Sequence, residues 1–300
     1  MRILITGGSG FVGTHLRQVH PQWQYVSSRT YNLMSLRECH HMIEDLRPTA
    51  IVHLAARVGG IKDNKDRPGS YFYENTAINN NVLECARAHG VSRVLSCLST
   101  CAFPDVVDNY PFTEEDLHQG PPTKTNLSYG YTKRMLQVQS EAYRQQYGLN
   151  YSTFCPSNIY GPGDHFGKQS SHFVAALVTK IANAQDGETI QLWGTGTPLR
   201  QQLYVKDLCQ IIPILLEKHN SSAPLIVAHH ENLSIKSMAE ELCSQIDKNI
   251  NICFDNDEQM DGQYRKDGDN SKLKKLIPDF EFTSFKKGIL QTYNWYAENR

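Results

Sequence analysis

The chain has 300 residues, 40% of them hydrophobic and 20% charged, and its 30 Lys and Arg against 31 Asp and Glu leave a formal net charge of −1. That length holds one large domain or two modest ones with a sizeable core. The near-neutral balance speaks against nucleic acid or a membrane surface as partner, and no apolar run approaches the roughly 20 residues that span a bilayer.

In chain order, RILIT reads as an apolar strand and GFVGTHLRQV as the helix after it. WQYVS is a second strand, and SLRECHHMIEDLR has helical spacing with Ser35 as its N-cap. AIVHLAA is a third strand, followed by a helical stretch near 70–89; SRVLSCLS is a fourth. YGYTKRMLQVQSEAYRQQYG is expected to be a helix ending at Gly148, and NYSTFCPSNIYGP to carry a fifth strand. Beyond it come a helix in SHFVAALVTKIANAQ, a strand in ETIQLWG, a helix in VKDLCQIIPILLEKH broken or kinked near Pro213, and a strand in LIVA. SIKSMAEELCSQI and FKKGILQTYNWYAENR read as closing helices. Strands alternating with helices predict an α/β fold, a doubly wound parallel sheet of Rossmann type, with a smaller α/β lid domain interleaved with its end.

MRILITGGSG reaches a glycine cluster too early for a signal-peptide core. The eight cysteines form no CxxC pair and scatter through apparent core segments. Reduced thiols in a cytoplasmic protein are expected, without a bound metal.

TGGSGFVG spaces Gly7, Gly10 and Gly13 as GxxGxxG between strand and helix. Gly7 permits the tight turn, Gly10 lets backbone approach a pyrophosphate, and Gly13 lets helix and strand pack closely, with the phosphate charge on the helix N-terminus. NAD-binding folds usually place an acid after the second strand to hold the ribose 2′-hydroxyl. YVSSRTYN offers none, and the first acidic residue of the chain is Glu38. Arg29 stands there instead and suits a 2′-phosphate, which favours NADP; the plain alternative is an ordinary exposed charge.

Ser99, Thr100 and Cys101 leave the fourth strand at the edge where ligands of open α/β sheets bind. Downstream, Tyr129 and Lys133 of YGYTK lie four residues apart on one helix face. The lysine, with an oxidised nicotinamide, is expected to stabilise the phenolate and bring the tyrosine toward the working pH range. A hydroxyl from Ser99 or Thr100 can hydrogen-bond the reacting oxygen.

TGGSGFVG, Ser99 and YGYTK together resemble the extended short-chain dehydrogenase/reductase family. HLAARVGGI, SCLSTCAFPD, HQGPPTKTNLSYGYTKRM, NIYGPGDHF and WGTGTPLRQQLYVKDL are similar to its branch acting on GDP-4-keto-6-deoxy-D-mannose, and the similarity continues through DGQYRKDGDNSKL. The resemblance implies inversion at C3 and C5 followed by reduction at C4 with NADPH. A related GDP-4-keto sugar, or a non-catalytic NADP-binding protein, is the alternative. By matching position, Cys101 is the implied base and His172 the acid, with Ser99 polarising the ketone, Tyr129 protonating the product oxygen and Lys133 on the nicotinamide ribose. The implied cofactor contacts are Gly7, Gly8, Ser9, Gly10, Phe11, Val12 and Gly13, then Arg29, Asn32, Ala55, Ala56, Lys133, Pro156, Asn158, Ile159 and His172. For the GDP-sugar they are Ser99, Asn158, Lys180, Trp193, Arg200 and Asp261. Lys180 stands where an arginine can stand in the family, and Gln202 where an aromatic or aliphatic residue is more usual, which puts fine substrate preference in question. The implied division gives residues 1–157 and about 203–230 to NADP, and about 158–202 and 231–300 to the GDP-sugar. A homodimer paired through two long helices, around 70–89 and 129–147, is implied as well.

Overall fold

A computed structural model describes residues 1–167 and 171–300. The first half runs β1 (Ile3–Thr6), α1 (Phe11–Val19), β2 (Gln24–Val26), α2 (Leu36–Leu46), β3 (Ala50–His53), α3 (Ile61–Asp66), α4 (Pro68–Ala88), β4 (Arg93–Cys97), α5 (Leu127–Tyr147) and β5 (Asn150–Pro156). Then follow β6 (Asn158–Tyr160), α6 (Phe173–Asn183), β7 (Thr189–Leu192), β8 (Leu199–Arg200), β9 (Gln202–Tyr204), α7 (Val205–Lys218) and β10 (Leu225–Val227). The chain closes with β11 (Leu233–Ser234), α8 (Ile235–Ser244), β12 (Asn251–Phe254), α9 (Ser271–Leu276) and α10 (Phe285–Asn299).

Six strands form one sheet in the order β10-β5-β4-β3-β1-β2, every pair parallel. The predicted doubly wound sheet is present. Its strands are buried on both faces, as parallel sheets require. Leu4, Ile51, Val94 and Tyr151 point into one apolar cluster, while Ile5, Val52 and Leu95, each the next residue along, and Phe154 of β5 point into another. A third cluster joins α6, α8 and α10 through Val178, Leu242 and Ile289. The strand order reverses between β1 and β3, the switch point where such sheets bind nucleotides.

Helix ends follow the sequence signals. The Ser35 hydroxyl accepts from Glu38 N–H to cap α2, and Gly148 ends α5 in the left-handed region at φ 68°. Pro68 opens α4 at a position that needs no N–H donor, so the predicted helix begins earlier than 70. The structure sharpens two expectations. The fifth strand is two strands: Pro156 has no N–H to donate, Ser157 N–H donates to Val227 O at 3.0 Å, and β6 leaves the sheet to pair with β9. Pro213 does not break α7, which runs through it; Ile211, Ile212 and Leu215 are fully buried there, and that packing offsets the lost helical hydrogen bond.

Two buried histidines make stability depend on pH. His53 in β3 lies 2.8 Å from Thr6 Oγ1 through Nδ1 and 3.1 Å from Asn79 Oδ1 through Nε2. Burial, with the nearby Lys133 charge, pushes it down to about 3. Burial pushes His219 down to about 4, against the Thr153 carbonyl 3.0 Å from its Nε2. Both therefore protonate in the unfolded chain before they do in the folded one. Stability present above about pH 6.5 is lost as pH falls below that value, by about 2 kcal/mol per histidine at pH 5. Urea unfolding at pH 7 and pH 5 measures this; equal stabilities would contradict it.

Candidate active site

The loop after β1 is built as a phosphate cradle. Gly7 has φ +74°, and a Cβ there would lie 2.9 Å from Ala55 N across the switch point. A Cβ on Gly13 would lie 2.4 Å from Gly7 O, so a side chain at either place pushes loop, helix and β3 apart. Gly10 meets only Gly7 O, at 3.2 Å, and caps α1 without a side-chain partner. The helix N-terminus stays open toward exposed Ser9 and Gly10, with Phe11 and Val12 half-buried in the first turn. Gly8 N–H donates to Val26 O at 2.7 Å, and Thr6 Oγ1 accepts from Leu54 and Ala55 N–H at 3.2 Å each. These bonds bring the ends of β2 and β3, including half-buried Ala55 and Ala56, beside the loop.

Arg29 is exposed in the turn after β2. Asn32 is exposed too; its N–H donates to the Glu38 carboxylate at 2.7 Å. The first acid of the chain is thus engaged with backbone. Pro156 closes β5, and half-buried Asn158 and Ile159 open β6, where the register sets Asn158 opposite Gln202.

The chemical groups gather at the end of β4. Ser99 caps a short 3₁₀ turn, Thr100–Ala102, its Oγ accepting from Cys101 N–H at 3.2 Å. Thr100 is buried, whereas Ser99 and Cys101 are half-buried, so Ser99 is the hydroxyl available to a ligand. Helix α5 packs against this turn so closely that a Cβ on Gly130 would lie 2.5 Å from Cys101 O. That contact sets Tyr129 beside the Ser99 turn.

Lys133 is buried one turn after Tyr129 on α5. Its Nζ donates to Cys97 O at 2.8 Å and sits 5.7 Å from the centre of the Tyr129 ring. Burial pushes the Tyr129 phenol well above its ordinary value; charge on Cys101 and Cys97 would push the same way, and only the Ser99 hydrogen bond opposes. Loss of phenolate hydration outweighs the one opposing influence, that of Ser99. The phenol is held protonated. Burial also lowers Lys133 itself, against the nearby Cys97 and Cys155 thiols.

Sequence reasoning missed one residue altogether. Lys266 Nζ donates to Cys101 Sγ at 3.1 Å. Burial pushes the thiol up, but the Lys266 ammonium and the Ser99 hydroxyl outweigh it and leave Cys101 below its ordinary value. No local pattern marks Lys266: it lies 165 residues from Cys101 in sequence. His172 caps α6 and keeps an exposed surface, yet burial is the first cause of its lowered pKa, followed by an opposing Asp164 and by the Lys266 and His165 charges.

Farther out, Trp193 is 70% exposed, with Lys180 Nζ 5.6 Å from its ring centre and donating to Gln191 O at 3.0 Å. An exposed indole beside a cation offers a stacking face and does no core packing. Arg200 donates to Leu199 O at 2.8 Å and to Asp261 O at 3.3 Å, which orients the guanidinium. The Asp261 carboxylate accepts from Thr195 N–H at 2.8 Å and Thr195 Oγ1 at 2.7 Å, so it shapes the loop after Trp193.

A family model described as the NAD dependent epimerase/dehydratase family matches residues 3–228. The chain is 36% identical to a GDP-L-fucose synthase of Dictyostelium discoideum, over 99% of this chain and 95% of that protein. It is 30% identical to a GDP-L-fucose synthase of Escherichia coli K12, over 100% and 97%. A solved GDP-L-fucose synthetase from Naegleria fowleri bound to NADP superposes with a TM-score of 0.86 at 32% identity, covering 99% of this chain and 94% of that one.

Proposed function

Because the chain belongs to the NAD dependent epimerase/dehydratase family, and within it to the GDP-L-fucose synthases, we propose that it inverts C3 and C5 of GDP-4-keto-6-deoxy-D-mannose and reduces C4 with NADPH to give GDP-L-fucose. The observation that carries this reading is an activated thiol in the cleft that also holds Tyr129: Cys101 Sγ under the Lys266 ammonium at 3.1 Å. A simple C4 reductase has no use for such a base.

The C4 ketone acidifies the protons on C3 and C5. Ser99 Oγ keeps the Cys101 N–H, and with substrate bound its O–H turns from Cys101 and Tyr129 to donate to the ketone oxygen. The Cys101 thiolate takes the first proton, and the electron pair of that C–H bond moves into an enolate. His172 returns a proton from the opposite face, and the carbonyl re-forms with the centre inverted. Its lowered pKa makes the imidazolium a stronger acid. The same pair acts at the second centre. NADPH, when bound, supplies the hydride to C4. The Tyr129 phenol, kept protonated by burial, gives its proton to the new alkoxide.

NADP fits the residues present. The Gly7–Gly13 cradle would close on any side chain, Arg29 is free of a carboxylate partner among the described residues, and Glu38 is engaged by Asn32. Arg200 retains N–H donors for the diphosphate, and Trp193 offers its face to guanine or ribose. These contacts support assigning 158–202 and 231–300 to the GDP-sugar.

Dimer formation is supported by Leu127, Tyr131, Met135 and Val138, an exposed apolar stripe at helical spacing along α5, beside exposed Phe72 and Tyr73 on α4. A cytoplasmic location is supported by eight cysteines without a disulfide; among the described residues no helix is long and apolar enough to cross a membrane.

The direct test is incubation with GDP-4-keto-6-deoxy-D-mannose and NADPH. NADPH oxidation in step with GDP-L-fucose formation, identified by NMR, is expected. Purified protein carrying tightly bound NAD and leaving NADPH untouched would point to a C4 epimerase instead.

A further inference from the structure

Lys266 reaches Cys101 on a segment that the fold holds from two sides. Gln201 brackets Gly268, its Nε2 donating to Gly268 O at 3.1 Å and its Oε1 accepting from Gly268 N–H at 2.9 Å. Phe112 N–H donates to Asp267 O at 2.9 Å, and Asp269 N–H donates to Phe112 O at 2.7 Å. A Cβ on Gly268 would meet Ile226 at 2.8 Å and Phe112 at 2.9 Å, so the backbone is clamped there as well. The cation next door is neutralised: Arg265 makes a two-point pair with Asp267 at 2.9 and 2.6 Å. Lys266 has no carboxylate at ion-pair distance among the described residues, and its ammonium points at sulfur.

We infer that Lys266 is the positioning residue for the epimerisation base: its ammonium, held against Cys101 Sγ, favours the thiolate and so sets the pH at which the sugar's C–H bonds begin to exchange. This rests on the reading of Cys101 as that base. Both side chains are half-buried, where the attraction between ammonium and thiolate is screened less than in water. When sulfur takes the sugar proton, negative charge passes from sulfur to the C4 oxygen and the ammonium stays. The thiol formed is then acidic enough to release that proton to solvent before the second inversion. The other groups facing Cys101 are the Ser99 hydroxyl, the Tyr129 phenol and the Cys155 thiol, none of them cationic. The Lys266 charge reaches His172 too, together with Asp164 and His165. Removing it therefore raises both base and acid, and the pH profile of exchange moves upward on both limbs.

The test reads the thiol without the sugar. NADP-loaded wild type, Lys266→Met, Lys266→Gln and Lys266→Arg are treated with iodoacetamide across pH, and alkylation of the Cys101 peptide is followed by mass spectrometry. In the Met and Gln variants the titration midpoint is expected to rise by about 1–3 units. Alkylation at pH 7 should fall about threefold per unit, since a less acidic thiolate is the better nucleophile. The Arg variant should keep most of the wild-type profile and thereby separates charge from local folding. An unchanged profile in both neutral variants overturns the inference. So does a rise only in KM for the GDP-sugar, which would make Lys266 a diphosphate ligand. A shifted alkylation profile alongside undiminished C3 exchange in Cys101→Ala would leave the thiol pairing intact and defeat Cys101 as the base.

Discussion

Tyr129→Phe is expected to cut NADPH oxidation by about 10²–10⁴-fold, the usual worth of a positioned acid, while deuterium still enters C3 and C5 from solvent. The change removes one oxygen and little else. Tyr129 is half-buried and packs edge-on against Tyr71 with ring centres 6.4 Å apart, a contact phenylalanine preserves. Gly130 still lets α5 close on the Cys101 turn, and Lys133 still holds Cys97 O, so cleft and cofactor contacts survive. Lost is the O–H that meets the alkoxide as hydride arrives at C4. Inverted keto sugars should accumulate, visible by NMR, with cofactor binding retained. Unimpaired NADPH consumption would remove Tyr129 from the mechanism.

The features legible in sequence are those made by neighbours in the chain. A strand, a glycine turn and a helix follow one another within residues 3–19, and each glycine has a steric reason the sequence already hints at. The Ser35 cap, the Gly148 stop and the four-residue spacing of Tyr129 and Lys133 are equally local. What stayed hidden depends on what folding brings alongside. The phenol of Tyr129 is governed by burial, which one turn of helix does not reveal, and Lys133 turns to a carbonyl on β4. The division of β5 from β6 follows from Val227 capturing Ser157 N–H, across 70 residues. Pro213 is tolerated because of side chains packed on both flanks. Lys266 is the extreme case: its chemistry comes from a sulfur 165 residues away in sequence, and its own surroundings there are ordinary charged loop.

Cys101→Ala should lower solvent-deuterium uptake at C3 and C5 by about 10²–10⁴-fold with NADP binding unchanged. The side chain is small and half-buried, its backbone N–H stays on Ser99 Oγ, and the 3₁₀ turn keeps its cap, so the fold has no reason to move. The loss is therefore one of chemistry, and Cys101→Ser sharpens the point. A serine hydroxyl fills the same place and can take the Lys266 hydrogen bond, yet ionises far too reluctantly to serve as a base near neutral pH. The two variants should fail alike if ionisation is what matters, whereas a role in shape alone would let serine recover activity. Reduction need not stop with exchange, because Ser99, Tyr129 and Lys133 remain. Any NADPH then consumed on GDP-4-keto-6-deoxy-D-mannose should yield a sugar with both starting configurations retained at C3 and C5. Wild-type exchange in either variant would leave the double inversion without its base and reduce the cleft to a C4 reductase.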